Sequence, residues 1–177
     1  MHILQLMGGV QLLSDYQRYK KLRKCGFWKL FIAFPEFRYQ FFYRLRMHSQ
    51  LLRLLLKPLS LHNPLNLYIN CTEIGNGLFI EHGFSTVIAC KHIGENCWIN
   101  QQVTIGYSDV IHCPYIGNNV EIKAGAKVIG DVHIGDDVII GANAVVVKDV
   151  PSHSIVVGVP AKVIKTRNST SDTWKRI

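Results

Sequence analysis

Branched aliphatic side chains recur every six residues through the second half of the chain, at Ile74, Ile80, Val87, Ile93, Ile99, Ile105, Ile116, Ile122, Val128, Ile134, Ile140 and Val146. The step is broken by one extra residue before Val87 and by a longer gap between Ile105 and Ile116. Neither helical nor strand periodicity produces this spacing, so the hexad marks a repeat architecture. A second small or apolar residue follows four places after many anchors, at Val103, Val120, Ala126, Val132, Val138, Ala144 and Val150. Glycine directly follows others, at Gly75, Gly94, Gly106, Gly117, Gly135 and Gly141, where a corner calls for backbone freedom. Three hexads make one triangular turn of a parallel β-helix. A lone turn cannot bury its apolar face, so the core must come from stacked coils.

Residues 1–62 lack the hexad and read as a helical region rich in Leu, Lys, Arg and aromatic residues, punctuated by Pro35 and Pro58. A helix opening at Pro35 would gather Phe37, Phe41, Tyr43 and Leu45, flanked by Arg38, Arg44 and Arg46. Such a face is expected to pack on the β-helix and on neighbouring subunits. Basic aromatic helices also suit anionic bilayers, which makes peripheral contact with a membrane a second expectation. The repeat domain is placed at 63–155, entered through Leu61, His62, Asn63 and Pro64, with Tyr68 in the hexad phase ahead of Ile74. A basic C-terminal tail, 156–177, carries Lys162, Lys165, Arg167, Lys175 and Arg176 and is expected to fray near its end. Between Ile105 and Ile116 the segment 107–114 leaves the regular surface, and loops that interrupt rigid repeats are common seats of function.

The chain has 177 residues and a net charge of +8, which suits an anionic partner. Zinc-finger spacing, a helix-turn-helix signal and an arginine-rich tract are all missing, so nucleic acid is not that partner. Acidic lipid and a phosphate-bearing co-substrate remain. The five cysteines, Cys25, Cys71, Cys90, Cys97 and Cys113, are odd in number and form no CxxC, as expected of reduced thiols. Cys97 falls on an inward position. The N-terminus does not read as a secretory leader, and no apolar run is long enough to cross a bilayer, so a cytoplasmic protein is expected, at most resting on the inner face of the membrane. His92, His133 and His153 lack metal-ligand spacing, and no metal is expected.

The run Ile116-Gly117-Asn118-Asn119-Val120-Glu121-Ile122-Lys123-Ala124-Gly125-Ala126-Lys127, with the closing Gly158-Val159-Pro160-Ala161-Lys162, resembles the hexapeptide-repeat acyltransferases. Within that family the serine acetyltransferases and the related surface and capsular polysaccharide O-acetyltransferases are the most similar. The resemblance covers roughly 63–165. It implies an all-β left-handed parallel β-helix (hexapeptide repeats) with an N-terminal α-helical segment, assembled as a homotrimer and using acetyl-CoA as co-substrate.

His82 lies two places after the anchor Ile80, where a side chain projects from the coil. Surface histidines are usually inert. The resemblance implies a general base here, preceded by an acid, Glu81, and followed by a small residue. Serine acetyltransferases carry an aspartate fifteen residues before that base to orient it, and this chain has Leu67 there. Glu81, Glu73, Tyr68 or a main-chain carbonyl stand open as substitutes. The family's second histidine corresponds to Cys113, read here as packing rather than as a nucleophile. His112 occupies the place of the arginine that the amino-acid enzymes use on serine's carboxylate, and is expected to be largely neutral, serving as an auxiliary acid or base or touching the acceptor. The resemblance further implies main-chain oxyanion donors near Gly106. Coenzyme contacts are implied at Lys123, Ala124, Gly125 and Ala142, with Pro160 near the adenine and Lys162 or Lys165 for phosphate. With neither the arginine nor the orienting aspartate, the acceptor is expected to be a sugar hydroxyl of a surface polysaccharide, walled by Phe84, Tyr107 and His112. Serine is the alternative acceptor. A non-catalytic hexapeptide-repeat binding or structural protein is the alternative of another class.

Overall fold

The structure is a computed structural model that describes residues 2–49, 51, 54, 55 and 65–177. The boundary expected at 62/63, together with Pro58 and the lead-in at 61–64, lies outside the described residues.

Three helices come first: α1 (His2–Arg23), interrupted at Gly9 with φ 72°, α2 (Phe27–Ala33) and α3 (Pro35–His48). Pro35 opens α3 because its fixed φ and missing N–H cost nothing in a first turn. Phe37, Phe41 and Leu45 recur at every fourth residue and are buried against Leu12, Tyr16, Tyr19 and Leu30. Tyr43 and Tyr39 pack on the β-helix core instead. The aromatic face offered to a membrane by the sequence is therefore interior, and packing is the reading that holds. Arg44 is likewise buried, bound to Asp15 at 2.7 Å.

The coils begin with β1 (Tyr68–Ile74), β2 (Phe79–Ile80), β3 (Val87–Ile93), β4 (Trp98–Ile99) and β5 (Thr104–Gly106). They continue with β6 (Tyr115–Ile116), β7 (Glu121–Ile122), β8 (Lys127–Ile129), β9 (His133–Ile134), β10 (Ile139–Ile140), β11 (Val145–Val146) and β12 (Ser154–Val157). All pair in parallel, forming a β-solenoid with three faces. Ile74, Ile93, Ile116, Ile134 and Val150 stack in register on the first face. Ile80, Ile99, Ile122, Ile140 and Val156 stack on the second. Ile69, Ile88, Ile105, Val128 and Val146 stack on the third.

Two expectations change here. The inward residue at the start of β3 is Ile88, fully buried, whereas Val87 is 37% exposed, so the corner before it is longer than the hexad count suggested. The glycines after the anchors are also needed for a different reason. Their φ angles are not left-handed; Asn96, Asn119 and Asp137 take the left-handed corner positions instead. A Cβ on Gly94 would stand 2.6 Å from the Gly117 carbonyl carbon, so glycine permits close stacking of coils.

The lowest coil has no coil beneath it, and its open main-chain groups need partners. Helix side chains supply them. Asp15 accepts from the Leu78 N–H at 2.9 Å, and the Tyr19 hydroxyl both donates to the Ile80 carbonyl and accepts from its N–H. Arg44 donates to the carbonyls of Ile74 and Gly75, and Arg18 to that of Gly77. At the other end β12 continues into the antiparallel β13 (Lys162–Thr166) and β14 (Lys175–Arg176). Arg167 grips the Asp137 carboxylate beside His153 and stacks 4.1 Å over Trp174, so the tail is folded back rather than frayed.

Candidate active site

His82 sits at the corner between β2 and β3, exposed, in a left-handed conformation (φ 63°) followed by Gly83 (φ 62°). The second-face register sets what lies above it. Two places beyond Ile80, Ile99, Ile122 and Ile140 come His82, Gln101, Ala124 and Ala142, one per coil. The base candidate thus heads a column whose upper members are small. Gly125, next to Ala124, is left-handed at φ 74°, and a Cβ there would meet Asn143 at 2.1 Å. Three of the expected coenzyme residues therefore share one edge with His82. Pro160 and Lys162 lie just past Val157 at the top of that edge and are exposed; Lys165 pairs with Ile155 farther along the face. Lys123 is engaged: its Nζ lies 2.6 Å from Glu121 and 5.3 Å from the Trp98 ring centroid.

Glu81 does not touch the His82 ring. Its carboxylate accepts from Trp98 Nε1 at 3.2 Å and from Asn100 Nδ2 at 3.1 Å, with Arg23 at 3.7 Å. Glu73 pairs with His92 on another face, and Leu67 is buried. Glu36, which the sequence reading passed over, does reach this corner. It is 4% exposed, its side chain lies against Gly83 in the turn beside His82, and Arg23 stands 3.6 Å away. Burial pushes the Glu36 carboxyl up, its own N–H, Arg23 and His82 pulling the other way. Its sequence signal was only that of an acid in a helix's first turn. Above the corner, the side-chain oxygens of Asn100 and Gln101 are buried without a hydrogen-bond partner.

The loop 107–114 projects from a different corner, between β5 and β6. At its neck stand the exposed Tyr107 and the half-buried Cys113, a free thiol. Asp109 accepts from the main-chain N–H groups of Ile111 and His112 and from the His112 ring. That ring bond raises the His112 pKa and holds Asp109 at about 2. The carboxylate neighbour thus favours the imidazolium, against the direction expected for His112. Gly106, where the loop leaves the coil, is buried. Within one chain, then, the structure gathers His82, Ala124, Gly125 and Ala142 but sets Gly106 and His112 apart from them. Among the described residues no group of three or more His, Cys, Asp or Glu side chains could hold a metal. None of the described helices is long and apolar enough to cross a membrane.

Residues 113–148 match the bacterial transferase hexapeptide family (six repeats). The serine acetyltransferase of Synechococcus elongatus is 47% identical over 96 residues, which is 52% of this chain and 39% of the relative. The chain thus spans less than half the length of that curated relative. Soybean serine acetyltransferase, as apoenzyme, superposes with a TM-score of 0.71 at 26% identity, covering 88% of this chain and 67% of the other. A serine acetyltransferase in complex with CoA gives 0.68 at 23% identity, over 92% and 73%. Fold and repeats together define a hexapeptide-repeat protein similar to the hexapeptide-repeat acyltransferases. It resembles serine acetyltransferases in both sequence and fold.

Proposed function

We propose that the protein is an acetyl-CoA-dependent O-acetyltransferase with His82 as general base. The observation that carries this reading is the column itself: an exposed histidine at the foot of an edge of small residues, Ala124, Gly125 and Ala142, along which a pantetheine arm can approach the main chain. A related structure that holds CoA supports the choice of co-substrate. An alcohol is a poor nucleophile near neutral pH, so the imidazole takes its proton as the oxygen attacks the thioester carbonyl. The tetrahedral oxyanion is met by main-chain donors near Gly106. On collapse the thiolate leaves and takes up a proton. No covalent enzyme intermediate is formed. Because His82 and the 107–114 loop stand on different corners, the complete site is built between neighbouring subunits of a homotrimer.

For the acceptor, the named relatives support serine, and none of the three reported above carries a glycan in its name. The argument for sugar also weakens on the structure, since His112 with Asp109 is inclined to carry charge near the place implied for an arginine. Serine or a close hydroxy amino acid is therefore the first reading. A sugar hydroxyl is the second, favoured by Leu67 in the position of the orienting acid and by the exposed Phe84 and Tyr107. Thiol release from acetyl-CoA, measured with serine and with glycan acceptors side by side, tests both. Higher turnover on a glycan would restore the second reading. Absence of acetyl-CoA binding in calorimetry would leave the non-catalytic alternative standing.

A further inference from the structure

We propose that the outer face of α2, with Trp28 and Ile32 at its centre and basic residues around them, docks the protein on an anionic lipid bilayer. The charge of the chain is divided unevenly. Residues 1–62 hold eleven of its twenty Lys and Arg but only two of its twelve Asp and Glu, so this region carries +9 and the remaining residues −1. Both acids, Asp15 and Glu36, are buried, and each faces an arginine, Arg44 for the first and Arg23 for the second. The surface that the region itself offers is therefore positive, with Lys20, Lys24, Lys29 and Arg46 all exposed. The coenzyme does not account for this charge. The edge implied for it rises from His82 away from the helices, to Pro160 and Lys162 at the other end of the solenoid.

Apolar groups stand among these cations. Leu30 is fully buried, and Phe27 and Phe31 pack on the helical core, so α2 already has an inward face. Trp28 and Ile32, one turn apart, are each 73% exposed on the other. Lys24 precedes the helix and Lys29 lies within it, while Arg38 donates to the carbonyls of Phe31 and Ile32, which keeps its guanidinium at the C-terminal end of the patch. Leu51, Leu54 and Leu55, also helical, are exposed as well, with Arg53 and Lys57 beside them in the sequence. Large apolar groups set among cations fit the boundary of an anionic bilayer, where they enter the acyl region while the basic side chains meet phosphate. A second copy of this face is a poorer partner, because +9 would be brought against +9. The stripe of Phe37, Phe41 and Leu45 packs inside and takes no part.

Flotation of the full chain with lipid vesicles is the test. Vesicles of phosphatidylcholine with about 30% phosphatidylglycerol should carry the protein upward, and vesicles of phosphatidylcholine alone should leave it behind. Raising the salt from about 0.1 M to about 1 M should release most of what is bound. Lys24→Gln combined with Lys29→Gln should weaken the partition constant about ten- to thirtyfold. Trp28→Ala combined with Ile32→Ala should weaken it to a similar extent, by removing the groups that enter the acyl region. All four side chains are exposed, so both double variants should keep the parental denaturation midpoint. Absence of binding to the anionic vesicles overturns the proposal, as does equal binding to neutral ones or parental binding by the Trp28 and Ile32 double variant. If a short DNA duplex binds more tightly than the anionic vesicles, the positive face serves nucleic acid and the lipid assignment falls. It falls likewise if the Trp28 and Ile32 double variant sediments as a smaller assembly than the parent, since a second copy then covers the face. None of these outcomes depends on acetyl transfer.

Discussion

Asp109 shows how much a single neighbour can change a reading made from residue type. A bare imidazole in an exposed loop titrates near its ordinary value, but a carboxylate on its Nδ1 favours the charged form. The sign is definite. With its folded pKa raised, His112 adds to the order of the loop below the unfolded imidazole's pKa, and that contribution is lost as pH rises through the raised one. Asp109→Asn should therefore move the His112 titration, followed by NMR, to lower pH; an unmoved midpoint would show that the pair does not form in solution. His82 calls for a different measurement. Replacing it by alanine should lower kcat by about two to four decades while calorimetric binding of acetyl-CoA persists, because a general base acts in the transition state alone. Near-parental turnover in that variant would remove His82 from the mechanism. Its candidacy was legible from the resemblance, which implies a general base in this hexad; an outward position alone would have left it among the inert surface histidines. Glu36 was not legible, since its link to the corner spans 46 positions and leaves no local pattern.

Between elements the controlling quantity is the separation of stacked coils. The hexad could be read because a side chain that points to the axis must be small and apolar in every turn, whatever the corners do. Val87 misled the count for a related reason. β3 runs through a corner without a turn, so spacing ceases to report direction there, and Ile88 fills the axis instead. The glycines carry the strongest prediction at this scale. A methyl group on Gly94 would meet the main chain of Gly117 at 2.6 Å, where no side chain can yield. Gly94→Ala should cost about 1–3 kcal/mol in chemical denaturation, the usual range for overpacking. Gly26→Ala is the control. That residue has nothing within 4 Å of an added Cβ and a φ of −82°, so its change should be limited to the loss of an N-cap glycine, about 1 kcal/mol or less. Equal effects in the two variants would mean that coil spacing is not what the glycine protects.

For the molecule as a whole, the decisive fact is that the two halves of the candidate site lie on different corners of one solenoid. His82 and its column of small residues follow the second face, whereas Gly106 and the loop with His112 follow the third. A rigid stack of coils cannot fold one edge onto the other, so a single copy presents each half to solvent. On the proposed reading, cyclic association of three copies would bring unlike corners together in a closed, repeated contact, so that a half-site could be kept on each edge. The loop supports this, because Val110 and Ile111 are 92% and 74% exposed and need cover. Sedimentation should show a trimer, but a mixing experiment asks the sharper question. Two inactive variants are made, His82→Ala and a loop variant in which 108–112 is replaced by a short glycine linker. Each lacks one half of every site. Unfolded and refolded together in equal amounts, they should assemble at random, and about a quarter of the interfaces should pair an intact His82 with an intact loop. Activity should return to roughly that fraction of the parental value, whereas the variants refolded separately stay inactive. Recovery would be nil if each chain carried its own complete site, and an active monomer in the parent would remove the shared groove altogether.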